Sequence, residues 1–179
     1  MSLNIYDVLK KDHNKIKSLL QELVDCEMVD GMRCQDLVEA LHFELLPHTH
    51  AEEAVFYNSL RSLRAARPTI MHSYEEHMEI ENLLRALQIQ SGFDDHWINT
   101  AHKLKAAIER HLKEEEGSIF NMAQSLFLRE EEKMMGEAFL RLRPQVAEEG
   151  LVRVTLDAIA DLMPTRFAAT LRTFDLNPK

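Results

Sequence analysis

The sequence has little of the residues that build turns and end helices. Only 5 glycines and 5 prolines occur among its 179 residues. Because these two residues dominate turns and disfavour helix interiors, their scarcity argues against a turn-rich all-β fold and predicts long helices. The length suits a single domain with a proper hydrophobic core, with room for a short appendage.

Cysteine is also scarce. Cys26 and Cys34 have no CxxC spacing and no further cysteine to complete a metal cluster or a disulfide framework. We therefore expect two free thiols in a reducing compartment. The N-terminal residues Met-Ser-Leu-Asn-Ile-Tyr-Asp do not resemble a signal peptide, which makes the cytoplasm the expected location.

Long apolar runs and an excess of positive charge are missing as well. No run of about 18 apolar residues occurs, so we expect no helix that spans a membrane. The formal net charge is -9 at pH 7. Because phosphate binding requires a basic surface, this charge argues against nucleic acid as a partner.

The sequence does contain one short pattern that occurs twice. His-x-x-x-Glu-Glu is found at His48–Glu53 and again at His111–Glu116. An acid followed by a histidine precedes each copy, at Asp12–His13 and at Glu76–His77, with isoleucine and leucine following at the same spacings. An internal repeat that keeps acid and base residues in the same order indicates a duplicated unit.

Apolar residues at spacings of three and four predict four long helices in residues 1–128. We place them at about Ile5–Met28, Arg33–Leu63, Pro68–Gln90 and Asp95–Leu128. Asn4 or Ser2 would cap the first helix, and Pro47 would either kink or break the second. Four long helices with short links favour an all-α fold, an antiparallel up-down-up-down four-helix bundle.

Residues 129–179 are predicted to form a helical extension of unknown role. The charge run Glu130–Lys133 is interpreted as a solvated face or as an extended end of the fourth helix. Breaks are expected at Leu140–Pro144 and at Glu148–Gly150, and a short helix is expected between Val152 and Met163. A last helix would pack over the bundle or on a partner, which leaves a homodimer through this extension open.

Six polar side chains interrupt the apolar faces of the four bundle helices. A lone buried histidine is usually a satisfied core residue, and a purely structural polar network is the alternative interpretation. Four histidines and two glutamates that meet at one level of a bundle favour a metal site instead. The candidate ligands are His13, His48, Glu52, His77, His111 and Glu115.

The composition of this set bears on the metal. Zinc usually takes four ligands, often cysteine and histidine, and the sequence has neither HExxH nor a cysteine cluster. Four imidazoles and two carboxylates are too many for one zinc ion and suit two metals bridged by the carboxylates. Imidazole with carboxylate oxygen matches iron, and manganese less well. The spacing also departs from the Glu-x-x-His pattern of ferritin-like bundles.

These residues resemble the hemerythrin-like HHE cation-binding domain. The resemblance rests on the run Ile5–His13, on the two His-x-x-x-Glu-Glu patterns and on Glu76–His77, and it covers about residues 3–128. It implies a four-helix bundle that holds a non-haem, oxo-bridged centre of two iron ions. Manganese or zinc would be alternative occupants in a heterologous preparation.

The resemblance also implies a role for each candidate ligand. His13 and His48 would bind one iron, and His77 and His111 would bind the other. The bridging carboxylates would be Glu52 and Glu115. Oxygen-carrying hemerythrins have a fifth histidine four residues before the one on the third helix, where this chain has Ser73. The set of four histidines and two glutamates resembles instead the domains of nitric-oxide and oxidative-stress proteins, iron–sulfur repair proteins and iron sensors.

We therefore expect a module that binds or senses oxygen, nitric oxide, peroxide or iron. A stress-defence enzyme (peroxide or nitric-oxide scavenging, or iron–sulfur cluster repair) is the first alternative, and an interaction protein with a structural metal is the second. Tyr6, Ser73 and Ser118 are candidate hydrogen-bond donors around the metals. Glu53 and Glu116, the last acids of the two repeats, are expected to face outwards or to support the ligands without binding metal.

Overall fold

A computed structural model of the chain describes residues 3–26, 31–90, 92, 94–149 and 153–174. Within these ranges the chain is helical. The α-helices are α1 (Ile5–Val24), α2 (Gly31–Glu52), α3 (Asn58–Ser62), α4 (Arg67–Ile89), α5 (Asp95–Glu114), α6 (Phe120–Leu126), α7 (Arg129–Glu149), α8 (Arg153–Ala160) and α9 (Thr165–Arg172). Two π-helical turns, Glu53–Tyr57 and Glu115–Ile119, join α2 to α3 and α5 to α6.

The first six α-helices form the four rods of a bundle. α1 packs against α2 and α5, and α4 packs against the same two helices, which closes a ring of four. Asn4 caps α1 by accepting a hydrogen bond from the backbone N–H of Asp7, and Asp94 caps α5 in the same way. α1 ends at Val24; its predicted end, Met28, lies outside the described residues. The predicted all-α bundle with a helical extension is confirmed.

Two prolines lie inside helices without ending them. α2 runs through Pro47, so the alternative of a broken helix is wrong, and α7 runs through Pro144, where a break was expected. A proline removes the hydrogen bond to the carbonyl four residues earlier. Those earlier residues are Phe43 and Leu140, which are exposed, so water can satisfy their carbonyls. None of the described helices is long and apolar enough to cross a membrane.

The apolar interior consists of two clusters with a polar layer between them. One cluster contains Leu9 of α1 and Tyr74 of α4, and the other contains Ile16 and Ile80 further along the same helices. On each of the four rods the predicted histidine ligand falls between a residue of one cluster and a residue of the other. Fully burying one large apolar side chain stabilises the fold by about 1.5–3 kcal/mol, so the clusters hold the polar layer in place from both sides.

The C-terminal extension packs onto the bundle. α7 lies against α1 and α2, and Met135, Phe139 and Leu142 are completely buried in the first apolar cluster. α9 lies against α3, where the side-chain amide of Asn58 donates to the carbonyl of Thr170 at 2.8 Å. The proposed domain boundary at residue 128 and a homodimer through the extension stay predictions.

The charge run at the start of α7 is not a uniformly solvated face. Glu131 is buried and forms an ion pair with Arg166 of α9 at 2.5 Å. Glu132 accepts a hydrogen bond from the hydroxyl of Tyr6 at 3.0 Å. These acids fix α7 between α1 and α9. The predicted break at Glu148–Gly150 includes Gly150, which lies outside the described residues. Val152, the predicted start of the next helix, lies outside them too.

The prediction of free thiols is wrong. Cys26 and Cys34 form a disulfide, with their Cα atoms 5.9 Å apart. The pairing follows from the hairpin of α1 and α2, which returns the chain beside itself within a separation of 8 residues. A search for metal-binding or redox motifs such as CxxC does not detect this pair, because the two cysteines are 8 residues apart in the sequence. The cysteines therefore no longer support a reducing compartment.

The contact between α7 and the start of α1 gives a test of the extension's packing. A Cβ on Gly136 would come within 2.9 Å of the backbone of Leu3 and Asn4. We expect Gly136→Ala to lower the free energy of unfolding of the full chain by about 1–3 kcal/mol, because α7 must move off α1. Urea denaturation followed by circular dichroism measures this.

Gly117→Ala is the matched control, since a Cβ there meets nothing within 4 Å. Removing a helical glycine at an open position should leave stability unchanged or raise it by up to about 1 kcal/mol. Equal stability of the two variants would show that α7 is not packed closely on α1.

Candidate metal centre

The six predicted ligands meet in the polar layer between the two apolar clusters. Each of them is at most 3 % exposed, and each of the four rods contributes at least one histidine. They are brought to one level because each histidine lies on the inward face of its rod, at the gap between the clusters. The members of this layer are His13, His48, Glu52, His77, His111 and Glu115.

The donor atoms form two overlapping groups. Ligand atoms of His13, His48 and Glu52 lie within 4.8 Å of one another, and so do those of Glu52, His77 and His111. Glu52 belongs to both groups because its Oε2 lies 3.8 Å from Nε2 of His48 and 3.6 Å from Nε2 of His77. Both groups could hold a cation, and they share the carboxylate of Glu52.

Glu115 occupies the equivalent place on the opposite rod. Its Oε2 lies 3.3 Å from Nε2 of His13 and 3.9 Å from Nε2 of His111. Each glutamate thus stands between one histidine of the first pair and one of the second. This arrangement is suited to carboxylates that bridge two ions.

Several buried atoms of this layer have no hydrogen-bond partner among the described residues. Both carboxylate oxygens of Glu52, both of Glu115, and Nε2 of His13 are in this state. Buried polar groups are nearly always satisfied, and a buried charge is costly unless it is paired. Unsatisfied imidazole nitrogen and carboxylate oxygen at one point form a donor set that fits iron and other first-row transition metals.

Four more carboxylates support the histidines from outside. Each lies close to the Nδ1 atom of one imidazole and leaves its Nε2 atom directed into the centre. The distances are 3.0 Å for His13–Glu116, 3.4 Å for His48–Asp12, 2.7 Å for His77–Glu53 and 3.0 Å for His111–Glu76. A carboxylate on the second nitrogen fixes the ring orientation and raises the basicity of a metal-binding histidine.

These supporting acids are the remaining acids of the internal repeat. Glu53 and Glu116 follow the proposed bridging glutamates by one position, about 100° around the helix, which turns them towards a neighbouring rod. Glu53 reaches α4 and Glu116 reaches α1. Glu53 and Glu116 were expected either to face outwards or to support the ligands; in the structure they contact His77 and His13. Asp12 and Glu76, which sequence reasoning did not assign, could have been found because the repeat retains them.

The protonation states of the metal-free centre follow from burial and from these pairs. Burial lowers the pKa of His48 and of His77 to about 4, so both are neutral at pH 7 and present a lone pair. Burial also lowers the pKa of His13, but the carboxylates of Glu115 and Glu116 outweigh it and raise that pKa. Burial, together with the nearby Glu115 carboxylate, raises the pKa of Glu52 well above its usual range. The raised pKa values of Glu52 and His13 favour a proton on each of them, and a cation bound in this layer would displace these protons.

The supporting acids differ in charge. Hydrogen bonding to His111 and the nearby Arg110 hold the pKa of Glu76 at about 2, and His13 and Lys17 do the same for Glu116. Burial raises the pKa of Glu53 to about 8. At neutral pH Glu53 is therefore mostly protonated, while Glu76 and Glu116 are ionised.

Tyr57 is a member of the layer that the sequence did not indicate. Its ring stacks on His77, with centroids 5.3 Å apart, and its side chain is completely buried. Its hydroxyl has no hydrogen-bond partner among the described residues. Burial and the carboxylates of Glu115 and Glu52 raise the pKa of Tyr57 well above its usual range. The phenol therefore lies beside the two central glutamates, with Ser73 next to it.

The other predicted donors lie elsewhere. The hydroxyl of Tyr6 donates to Glu132 on α7, and Ser118 is exposed and donates to the carbonyl of Glu114. Ser73 is buried, and its hydroxyl donates to the carbonyl of Thr69 at 3.3 Å. Of the three, Ser73 alone is in contact with the layer, through Tyr57.

Comparison with known proteins gives the family. The description "Hemerythrin HHE cation binding domain" matches residues 4–123, which include all six candidate ligands and the four supporting acids. The chain belongs to this hemerythrin family. It is therefore a cation-binding helical protein, and α7, α8 and α9 lie beyond the matched part.

One curated relative resembles about two thirds of this chain. It is a protein described as a DNA nickase from Nostoc sp. (strain PCC 7120 / SAG 25.82 / UTEX 2576), 29% identical over 118 residues. The match covers 66% of this chain and 33% of the nickase, so the chain spans about a third of that relative's length. No solved structure matches the chain.

A single substitution separates a cation site from a structural polar network. Gln has the shape of the protonated Glu52 side chain, so Glu52→Gln should make the metal-free protein more stable than wild type and abolish metal uptake. The sign follows from linkage: a carboxyl whose pKa is raised in the folded state binds more protons when folded, so stability falls as pH rises above about 4.5. Between the pKa of Glu52 in the unfolded chain and its higher pKa in the folded chain, each pH unit lowers the free energy of unfolding of wild type by up to about 1.4 kcal/mol.

The measurement is the thermal midpoint in chelator between pH 5 and 8, with metal content determined in parallel. The advantage of Glu52→Gln should grow with pH. Glu22→Gln on the exposed face of α1 is the control and should behave as wild type. A Glu52→Gln protein that is less stable at every pH would show that Glu52 is part of a satisfied structural network.

Proposed function

We propose that this protein holds two iron ions in the polar layer and uses them to bind or sense a small ligand, namely oxygen, nitric oxide or peroxide, or to sense iron itself. His13 and His48 would bind one ion, and His77 and His111 the other. Glu52 and Glu115 would contact both ions. The observation that carries the proposal is the unsatisfied carboxylate oxygens of Glu52 and Glu115 and the unsatisfied Nε2 of His13. They lie in one layer with three further imidazoles, and each of the four imidazoles is supported by its own acid.

The residues themselves favour a reactive centre over a structural one. Iron bound here would supply reversible electron transfer and open positions for a small ligand. Six protein donors shared between two ions leave positions unfilled, whereas structural metal sites are closed by their protein ligands. The apolar clusters on both sides exclude water from the layer. Small uncharged molecules can enter such a layer more readily than ions.

The activity in the relative's name is not carried over to this chain. The match covers a third of the nickase. The net charge of -9 also opposes contact with a polyanion. We therefore propose a function that does not depend on nucleic acid.

Iron reconstitution tests the proposal. The full chain, made metal-free, is titrated anaerobically with Fe(II); we expect two ions per chain and new ligand-to-metal charge-transfer absorption after exposure to oxygen or nitric oxide. His77→Ala should hold fewer ions and lose this absorption. His102→Ala, which changes an exposed histidine on α5, should match wild type. Wild-type protein that binds two ions without any optical response to these ligands would contradict the proposed function.

Tyr57 is the observation that favours an enzyme as the second candidate. Burial keeps the phenol of Tyr57 protonated, so it can hold a proton beside peroxide that enters the layer. Loss of a general acid slows turnover by about 10²-fold or more. We expect Tyr57→Phe, which keeps the ring on His77, to hold two irons but to lose steady peroxide consumption. Tyr6→Phe is the control because its hydroxyl pairs with Glu132. Stoichiometric binding without turnover in wild type, or equal turnover in wild type and Tyr57→Phe, would argue against this enzymatic role.

A further inference from the structure

We propose that the C-terminal extension is part of the metal centre: Arg143 of α7 positions His48 through Asp12, so that α7 controls how firmly the His13–His48 half retains its ion. Arg143 is a positioning residue in this scheme, since it does not reach the centre itself. The inference rests on the proposed two-ion site. It adds a role for the extension, which lies outside the part matched by the family.

Arg143 connects two acids of the bundle. Its Nε atom lies 2.5 Å from Oδ2 of Asp12 on α1, and one of its terminal nitrogens lies 2.6 Å from Oε2 of Glu44 on α2. The same nitrogen donates to the backbone carbonyl of Glu44 at 3.4 Å. A guanidinium that contacts acids on two helices fixes both its own orientation and theirs.

Asp12 passes this constraint to the centre. The same Oδ2 atom that contacts Arg143 lies 3.4 Å from Nδ1 of His48. Phe139, one turn before Arg143 on α7, packs its ring against the imidazole of His48 at a centroid distance of 5.8 Å. α7 therefore limits His48 in two ways, by charge through Asp12 and by direct packing.

Two of the other supporting acids pair with bases of the bundle itself. Glu116, which supports His13, pairs with Lys17 of α1, and Glu76, which supports His111, pairs with Arg110 of α5. These two bases are 40% and 54% exposed, whereas Arg143 is 21% exposed. Ion pairs gain strength as they leave water, so the pair of Arg143 and Asp12 is the better constrained of the three.

A consequence follows for one half of the centre. Without Arg143, Asp12 is free to turn towards water, and His48 loses its fixed acceptor. Loss of such an outer partner typically costs about 10–100-fold in metal affinity. The effect should fall on the ion held by His13 and His48 and leave the ion held by His77 and His111 unchanged.

The experiment measures iron release from the full chain. Five proteins are loaded anaerobically with two equivalents of Fe(II) and then challenged with excess ferrozine. They are wild type, Arg143→Met, Arg143→Lys, Asp12→Asn and Arg141→Met. In Arg143→Met we expect one ion to leave at least about 10-fold faster than in wild type and the other to leave at the wild-type rate. Arg143→Lys should restore part of the retention because it keeps a cation at Asp12. Arg141→Met is the control at an exposed position of the same helix.

Further comparisons separate positioning from general stability. Asp12→Asn should accelerate the same ion, and adding Arg143→Met to it should have little further effect, since both act through one contact. Thermal midpoints of the metal-free variants are recorded alongside. A lowered midpoint with wild-type release of both ions, or equal acceleration of both ions, would overturn the inference and leave the proposed function standing. A wild type that never holds two ions would overturn the proposed function, and this inference with it.

Discussion

Two carboxylates in a water-free layer are the constraint on which the rest of the structure depends. Glu52 and Glu115 are completely buried and have no hydrogen-bond partner among the described residues. Ionised groups in such a place cost several kcal/mol each unless an opposite charge is close. Protons on Glu52 and on His13, whose pKa values are raised, offset part of this cost. Cations would offset it more completely. The apolar clusters on both sides must supply the stability that this layer does not.

The internal repeat has a structural meaning beyond the ligands. In each half, the acid before the histidine on one rod supports the histidine of the following rod, as Asp12 supports His48 and Glu76 supports His111. The last acid of each His-x-x-x-Glu-Glu pattern supports a histidine of the other half. Because the duplicated halves exchange these contacts, neither hairpin has a complete set of supported histidines by itself. The repeated unit is thus a hairpin that requires its copy.

Regular helical periodicity sufficed to predict the inward residues, because α-helical segments that lead to the polar layer place every third or fourth residue on one face. The two π-helical turns begin only at Glu53 and Glu115. Helical periodicity also predicted the bundle and the two short helices near the C-terminus, but not α7, which runs through an expected break. Features that depend on contacts between distant elements were not predictable in this way. The disulfide depends on a loop, Tyr57 depends on its packing against His77, and Arg143 depends on how α7 lies across α1 and α2. The break predicted at Pro144 was wrong, because a proline can be tolerated inside a helix where the preceding turn is exposed to water.

The two halves of the centre share a ligand pattern but differ in their surroundings. His13 and His48 are supported by acids whose pKa values are held low by the hydrogen bonds to these histidines and, further, by Lys17 beside Glu116 and Arg143 beside Asp12. His77 is supported by Glu53, whose pKa of about 8 leaves it largely protonated at neutral pH. An ionised carboxylate makes a bound imidazole more electron-donating than a neutral one does. The half that contains His77 also contains His111, whose supporting acid Glu76 is ionised like Glu116. The duplicated halves therefore share a ligand pattern, while the charge of each supporting acid is set by its own burial and neighbours.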